Sequence, residues 1–147
     1  WRYLEAAPGD VSDGATETFA WSNVTSASVG VTSTDIGSGE ANTALIVAQT
    51  GHDSSAAQRT IDYTTDQLGG SFGDWFLPSS DELNEMYTEL DSSVPTPTGN
   101  FENAEYWSSS EDELQPQQNA EYRSFDTGSP FAGFKVNAFR VRPARMF

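Results

Sequence analysis

Asp74-Trp75-Phe76-Leu77-Pro78-Ser79-Ser80-Asp81-Glu82-Leu83 is the stretch on which the reading of this chain turns. An apolar run closed by proline passes straight into a helix start, where Ser79 can cap the first turn and Glu82 can complete a capping box. Leu83, Met86, Tyr87 and Leu90 then recur on one side, which predicts an amphipathic helix buried along that face. Upstream, Ala41, Ala44, Leu45 and Ala48 follow Gly37-Ser38-Gly39 at helical spacing. Ala57, Ile61 and Leu68 do the same in a second segment closed by Gly69-Gly70, so two further amphipathic helices are expected. Residues 2–6 read as a short strand and residues 19–21 as a second. Downstream, residues 92–100 hold two prolines among polar residues and read as a loop. Tyr106-Trp107 and residues 122–126, 131–136 and 139–143 are strand candidates separated by Pro, Gly and Asn turns. In the last of these, Phe139, Val141 and Pro143 alternate with Arg140 and Arg142, the pattern of a half-buried strand. The order predicts one α+β domain over residues 1–147, with helices segregated from antiparallel strands.

Charge limits the partners. The chain carries a net charge of −15, and residues 1–120 hold 20 of its 22 acidic residues with only Arg2 and Arg59 against them. Affinity for a nucleic-acid backbone depends on Lys and Arg displacing counterions, so nucleic acid is excluded as a partner and anionic membranes are disfavoured. Residues 121–147 come to +3, with Arg123, Lys135, Arg140, Arg142 and Arg145. Either this basic segment pairs internally with the acidic remainder, or it forms an anionic-ligand site. Arg140, Arg142 and Arg145 are expected to pair with acidic groups of the first 120 residues. The chain has no cysteine, which removes disulfides, thiolate metal sites and thiol nucleophiles. No apolar run reaches bilayer length, so direct membrane insertion is not expected. Trp1 as the first residue suggests a trimmed chain with an upstream anchor or stalk.

Signs of catalysis are weak. His52 is the single histidine and sits in Gly51-His52-Asp53-Ser54, which reads as a solvated loop without a paired nucleophile. A hydrolase would need a carboxylate pair or His52 in a cleft. Gly37-Ser38-Gly39 lacks the remaining glycine and preceding strand of a dinucleotide site and reads as a helix entry. Asp10-Val11-Ser12-Asp13-Gly14 and Glu111-Asp112-Glu113 could offer oxygen ligands to calcium, but neither has the full loop spacing. No cofactor, metal site or enzymatic activity is expected. Asn23-Val24-Thr25 is a glycosylation sequon, consistent with an exposed loop.

Four motifs follow one another in order: Trp1-Arg2-Tyr3-Leu4-Glu5-Ala6-Ala7-Pro8; Asp74-Trp75-Phe76-Leu77-Pro78-Ser79 with Asp81-Glu82-Leu83; Tyr106-Trp107-Ser108-Ser109-Ser110-Glu111; and Arg140-Val141-Arg142-Pro143 with Arg145 and Phe147. Together they resemble the Legionella collagen-like protein C-terminal domain family, and the resemblance spans nearly the whole chain. It implies a C-type-lectin-like fold, with two to three helices flanking a twisted antiparallel sheet and the N- and C-terminal strands paired. It also implies a binding module outside the cell, on a cell or virion surface, with a protein or glycan as ligand. Some members are variable proteins of diversity-generating retroelements, in which the sequence between the third and fourth motifs is rewritten. Others are invariant adhesins or glycan-binding modules of larger proteins. A nearby reverse transcriptase gene and template repeat would mark the first kind.

In this chain the resemblance places the corresponding window at residues 112–138, either rewritten or an ordinary tolerant surface. Ala120, Phe125, Gly128, Lys135 and Asn137 match the family's framework. Glu121, Ser124, Asp126, Ser129, Phe131, Ala132, Gly133, Phe134, Val136 and Ala138 read as exchangeable. The ligand surface is therefore expected to include Tyr122, Phe131 and Phe134 as apolar contacts and Glu121, Arg123, Ser124, Asp126 and Ser129 as polar ones. Asp112, Leu114, Ala132, Val136 and Ala138 complete it. Gln115-Pro116-Gln117 lacks the carboxylate of calcium-dependent sugar-binding loops, and the missing cysteines exclude the chemistry of formylglycine-generating enzymes, which share a variant of the fold.

Overall fold

The computed structural model describes residues 2–67, 70–91 and 95–147, without the side chains of 65–71. Trp1, Leu68, Gly69 and the start of the 92–100 loop, each part of an expectation above, lie outside the described residues. The chain forms a mixed α+β domain. In order come β1 (Leu4–Ala6), β2 (Phe19–Ala20), α1 (Gly39–Val47), α2 (Ala56–Ile61), β3 (Thr65–Gln67), β4 (Gly70–Phe72) and α3 (Ser80–Leu90). The C-terminal half adds β5 (Glu105–Glu111), β6 (Asn119–Ser124), β7 (Pro130–Phe134), β8 (Ala138–Phe139) and β9 (Ala144–Met146). The strands make small antiparallel sheets: β1 with β9, β2 with β8, β3 with β4, and β5-β6-β7 in that order. The termini are thus paired, with Leu4 opposite Met146 and Ala6 opposite Ala144. Bridges from Phe76 to Ala144 and from Tyr106 to Arg140 tie the small sheets together.

The 74–83 stretch behaves as its sequence predicts. The Ser79 hydroxyl accepts from the Glu82 N–H at 3.2 Å, and the Glu82 carboxylate accepts from the Ser79 N–H at 2.7 Å. Glu82 is fully buried because its second oxygen also accepts from the Gly37 N–H at 2.8 Å, which couples the α3 cap to the entry of α1. A Cβ on Gly39 would stand 2.2 Å from that carboxylate and 2.8 Å from the Phe76 ring, so only glycine fits where α1 begins. Leu83 and Met86 are buried in one half of the core, with Phe76, Tyr106, Phe125 and Ala144. The other half gathers Trp21, Ile46, Ala57, Leu77, Trp107, Ala120 and Val141. Each described buried indole has a carbonyl partner: Trp21 donates to Ser108 at 2.7 Å, Trp107 to Phe19 at 2.8 Å and Trp75 to Phe72 at 3.0 Å.

Three expectations need correction. The inward face of α1 carries Gly39, Asn42, Thr43 and Ile46, whereas Ala41, Ala44, Leu45 and Ala48 face solvent. The helix packs on main chain that needs partners. Asn42 accepts from the Ser33 N–H and donates to the Ser33 carbonyl, and the Thr43 hydroxyl accepts from the Leu77 N–H at 2.9 Å. Polar side chains do this work, and alanine cannot. The second helix stops at Ile61, which is exposed, and Thr65–Gln67 is a strand instead of its continuation. Arg142, placed by alternation on the open side of a strand, is 1% exposed, because β8 ends at Phe139 and residues 141–143 run buried between Asp10 and the 99–100 turn.

The expected internal pairing of the C-terminal cations is present. Arg142 meets Asp10 at 2.6 Å, Arg140 meets Asp10 at 2.9 Å and Glu17 at 3.0 Å, and Arg145 meets Glu5 at 2.6 Å. Asp10 also accepts from the buried Tyr106 hydroxyl at 2.8 Å. Asp13 accepts from the Thr16 and Ala15 N–H groups, which hold its pKa below the ordinary value. Both carboxylates of the first candidate calcium loop are therefore engaged by groups of the chain itself. Among the described residues no helix is long and apolar enough to cross a membrane.

Candidate ligand-binding surface

The three-stranded sheet positions the 112–138 window. Strand β6 pairs with β7 in a continuous register from Asn119 opposite Phe134 to Arg123 opposite Pro130. Ala120 and Tyr122 face the Trp107 side of the sheet, where Tyr122 lies 4.5 Å from the Phe139 ring and stacks with Phe131 at 5.6 Å. Period-two alternation turns Glu121 and Arg123 to the opposite side, toward the N-terminus of α3. Phe131 therefore shares the Tyr122 face, whereas Ala132 shares the Glu121 face.

The framework residues of the window are its anchors. Ala120, Phe125 and Lys135 are fully buried. The Lys135 ammonium donates to Glu111 at 2.6 Å, to the Pro116 carbonyl at 2.8 Å and to the Ala27 carbonyl at 3.1 Å, and stands 4.7 Å from the Trp21 ring centre. Its three protons are thus matched by three oxygens. Glu111 accepts in addition from the Val29 N–H and the Ser28 hydroxyl, so one buried ion pair joins the 27–29 loop, the end of β5, the 112–118 loop and the end of β7. Glu111 belongs to the second candidate calcium cluster and is likewise already engaged. Among the described residues no cluster of His, Asp and Glu could hold a metal ion. Gly128 adopts φ +78°, and any Cβ there would press on the Tyr87 ring.

Around these anchors the exchangeable positions divide. Phe131, Phe134 and Val136 are 49%, 55% and 63% exposed, and Ala132 and Ala138 are also open. Leu114 is 90% exposed in the β5–β6 loop, where its N–H bonds to the half-buried Asp112. Asp126 is exposed and Ser129 half-buried at the β6–β7 turn. Ser124 is buried, with its N–H held by the Ser129 carbonyl, so it is part of the turn and not a ligand contact. Gly133 is not exchangeable either, because a Cβ there would lie 2.9 Å from the Tyr122 ring. Tyr122 is half-buried within the Trp107, Phe131 and Phe139 rings.

Glu121, Arg123 and Ala132 converge on a groove of about 390 Å3 that Phe131 also borders, and whose remaining walls are Thr34, Ser80, Asp81 and Pro130. Sequence reasoning missed these four. Thr34, Ser80 and Asp81 lie outside the window, and only the docking of α3 beside β6 brings them there. Arg123 is largely buried and bonds the Gly128 carbonyl, but its Nε has no partner, and burial lowers its pKa against the opposing pull of Asp81 and Glu121. Burial raises the pKa of Glu121, Ser80's hydroxyl works against this, and Asp112, Glu113 and Asp81 raise it further. A larger groove of about 530 Å3 lies between β1 and the 98–99 turn, but it contains no residue of the window. His52 is half-buried and bonds Ser55 at 2.8 Å, while Ser55 accepts from the Gln58 N–H as the α2 cap. That serine serves a helix terminus.

The raised pKa of Glu121 gives a signed expectation. The folded state binds this proton more tightly than the unfolded chain, so the group's contribution to stability is present below its ordinary value of 4.5 and is lost as pH rises through the raised folded value. Glu121→Gln, permanently neutral, is expected to melt above the parent at neutral pH and together with it well below 4.5. Paired thermal melts across that range check this, and a variant less stable at neutral pH would contradict it.

No family model matches the chain, and no curated protein matches it.

Proposed function

We propose that this chain is a ligand-binding module of the C-type-lectin-like fold, acting outside the cell as a retroelement-diversified variable protein. It displays its binding surface from residues 112–138 and performs no covalent chemistry. Its ligand is a protein or glycan. One observation carries this reading: within the window, three of the five positions that resemble the family's framework, Ala120, Phe125 and Lys135, are fully buried and the other two, Gly128 and Asn137, are half-buried, whereas Phe131, Ala132, Phe134, Val136 and Ala138 stand open along one edge. Such a division lets side chains be exchanged without disturbing the core, since surface substitutions away from special contacts stay within about 0.5 kcal/mol. The alternative of an invariant adhesin draws support from Thr34, Ser80 and Asp81, groove walls that a rewritten window would leave unchanged.

A displayed library randomised together at Glu121, Phe131, Ala132, Phe134, Val136 and Ala138 tests the reading. Most members should melt cooperatively, and selection against one purified globular protein should enrich binders. A matched library at Ala120, Phe125 and Lys135 should lose most of its folded members. Equal loss of fold in the two libraries, or no binders from the first, would count against display by this surface.

A further inference from the structure

The outer edge of β7 is unpaired among the described residues, since the sheet ends there. Two bonds fix which groups it presents. Ser124 donates to the Ser129 carbonyl at 3.0 Å and Lys135 donates to the Gln118 carbonyl at 2.9 Å, at opposite ends of the β6–β7 register. In an antiparallel pair the bonded positions alternate, so Phe131 and Gly133 turn their main-chain groups toward β6, and Pro130, Ala132 and Phe134 turn theirs outward. Proline has no N–H, and the Phe134 carbonyl is taken by Asn137. The outward set is the Pro130 carbonyl, both groups of Ala132 and the Phe134 N–H. Edges of this kind are ordinarily blunted by charged side chains. From Pro130 to Phe134 there is none, and the next cation, Lys135, is turned into the core.

We propose that this edge receives an extended, basic segment of a protein partner, added beside Pro130–Phe134 as a fourth strand, with one cationic side chain crossing Ala132 into the groove between Glu121 and Asp81. The proposal deepens the reading of residues 112–138 as a ligand surface and rests on it. Main-chain bonds supply the attachment in strand addition, and flanking side chains supply the selectivity. Phe131 and Phe134, on opposite faces of β7, offer apolar contact to either side of the added strand. Glu121 lies about two strand spacings, roughly 10 Å, from the added strand, a span that an extended arginine and a glutamate bridge over the small Ala132. Charge selects the occupant. Asp81, Asp112 and Glu113 all act on Glu121, with only the tethered Arg123 among the groove's walls to offset them. A second copy of the chain would bring another −15 of charge and be repelled.

A blocked peptide of alternating valine and lysine is the probe, titrated against the whole chain by NMR with amide exchange read at Ala132 and Phe134. It should bind with a dissociation constant below about 1 mM and protect both amides. Ala132→Pro removes only an outward N–H, a position where proline is tolerated on an edge, and should weaken binding about tenfold. The same peptide N-methylated on its edge-facing amides should fail to bind, which tests the proposal on the unaltered protein. A peptide with glutamate for lysine should also fail. Absence of binding by the first peptide, indifference to N-methylation, or equal binding of the acidic peptide would overturn the proposal. If the exposed-position library yields binders while the peptide does not bind, strand addition alone falls and the display reading stands.

Discussion

Replacing Arg142 with alanine is expected to lower the unfolding free energy by about 3–5 kcal/mol, read from urea titration at constant slope. Its guanidinium is buried and donates to Asp10, to the Ala7, Gly99 and Asn100 carbonyls, and lies 4.0 Å from the Phe101 ring centre. Alanine would leave three carbonyls without their donor and Asp10 with a weakened counter-charge. Arg142→Lys should recover little, since an ammonium cannot reach oxygens arranged around a planar fork. Arg140→Ala is the control. Its side chain is 22% exposed, and Asp10 keeps Arg142 when it goes, so a loss of about 1 kcal/mol is expected. If Arg142→Ala kept full stability, the role of this arginine as the clamp between the N-terminal segment and the 99–100 turn would be wrong.

Lys135→Met should be as damaging, again by about 3–5 kcal/mol, because it strands the Glu111 carboxylate in a fully buried site with only the Val29 and Ser28 donors. Glu111→Leu should cost a similar amount by stranding the ammonium. The double variant Lys135→Met with Glu111→Leu should recover part of the loss, since neither charge is then left alone, but not all of it. The Val29 N–H and the Pro116 and Ala27 carbonyls would still lack partners. A double-mutant cycle measures this directly, and strict additivity of the two single losses would show that the ion pair is not the tie joining the two loops and the end of β5 to β7.

What could be read from the sequence follows from how local each signal is. The α3 cap was legible because its capping box lies within four residues, and β5, β6 and β7 were legible in outline from their aromatic residues, whereas β3, β4 and β9 were not. The inward face of α1 was not. Asn42 and Thr43 face inward because of what Ser33 and Leu77 need across the fold, and hydrophobic spacing carries no trace of that demand. The burial of Arg142 escapes for a similar reason: period-two alternation assumes a sheet, and β8 ends three residues before it. At the site, the resemblance reads Ala120, Phe125 and Lys135 as framework, and these three are fully buried with Phe131, Ala132 and Phe134 open beside them. Ser124 and Gly133 depart from it because turn geometry and the Tyr122 ring, both tertiary facts, constrain them. Ser80 and Asp81 read in sequence only as the first turn of a helix, and their role as groove walls exists only once α3 lies on β6.

On the proposed function, the chain keeps a buried framework fixed and exchanges open and half-buried side chains of residues 112–138 around it. Sequencing the gene from many individuals of the source population, with its flanking region, tests it most directly. Substitutions are predicted to concentrate at Glu121, Phe131, Ala132, Phe134, Val136 and Ala138, to trace to adenines of a nearby template copy, and to spare Ala120, Phe125, Gly133 and Lys135. A window no more variable than residues 1–111, or changes falling equally on buried and exposed positions, would contradict it.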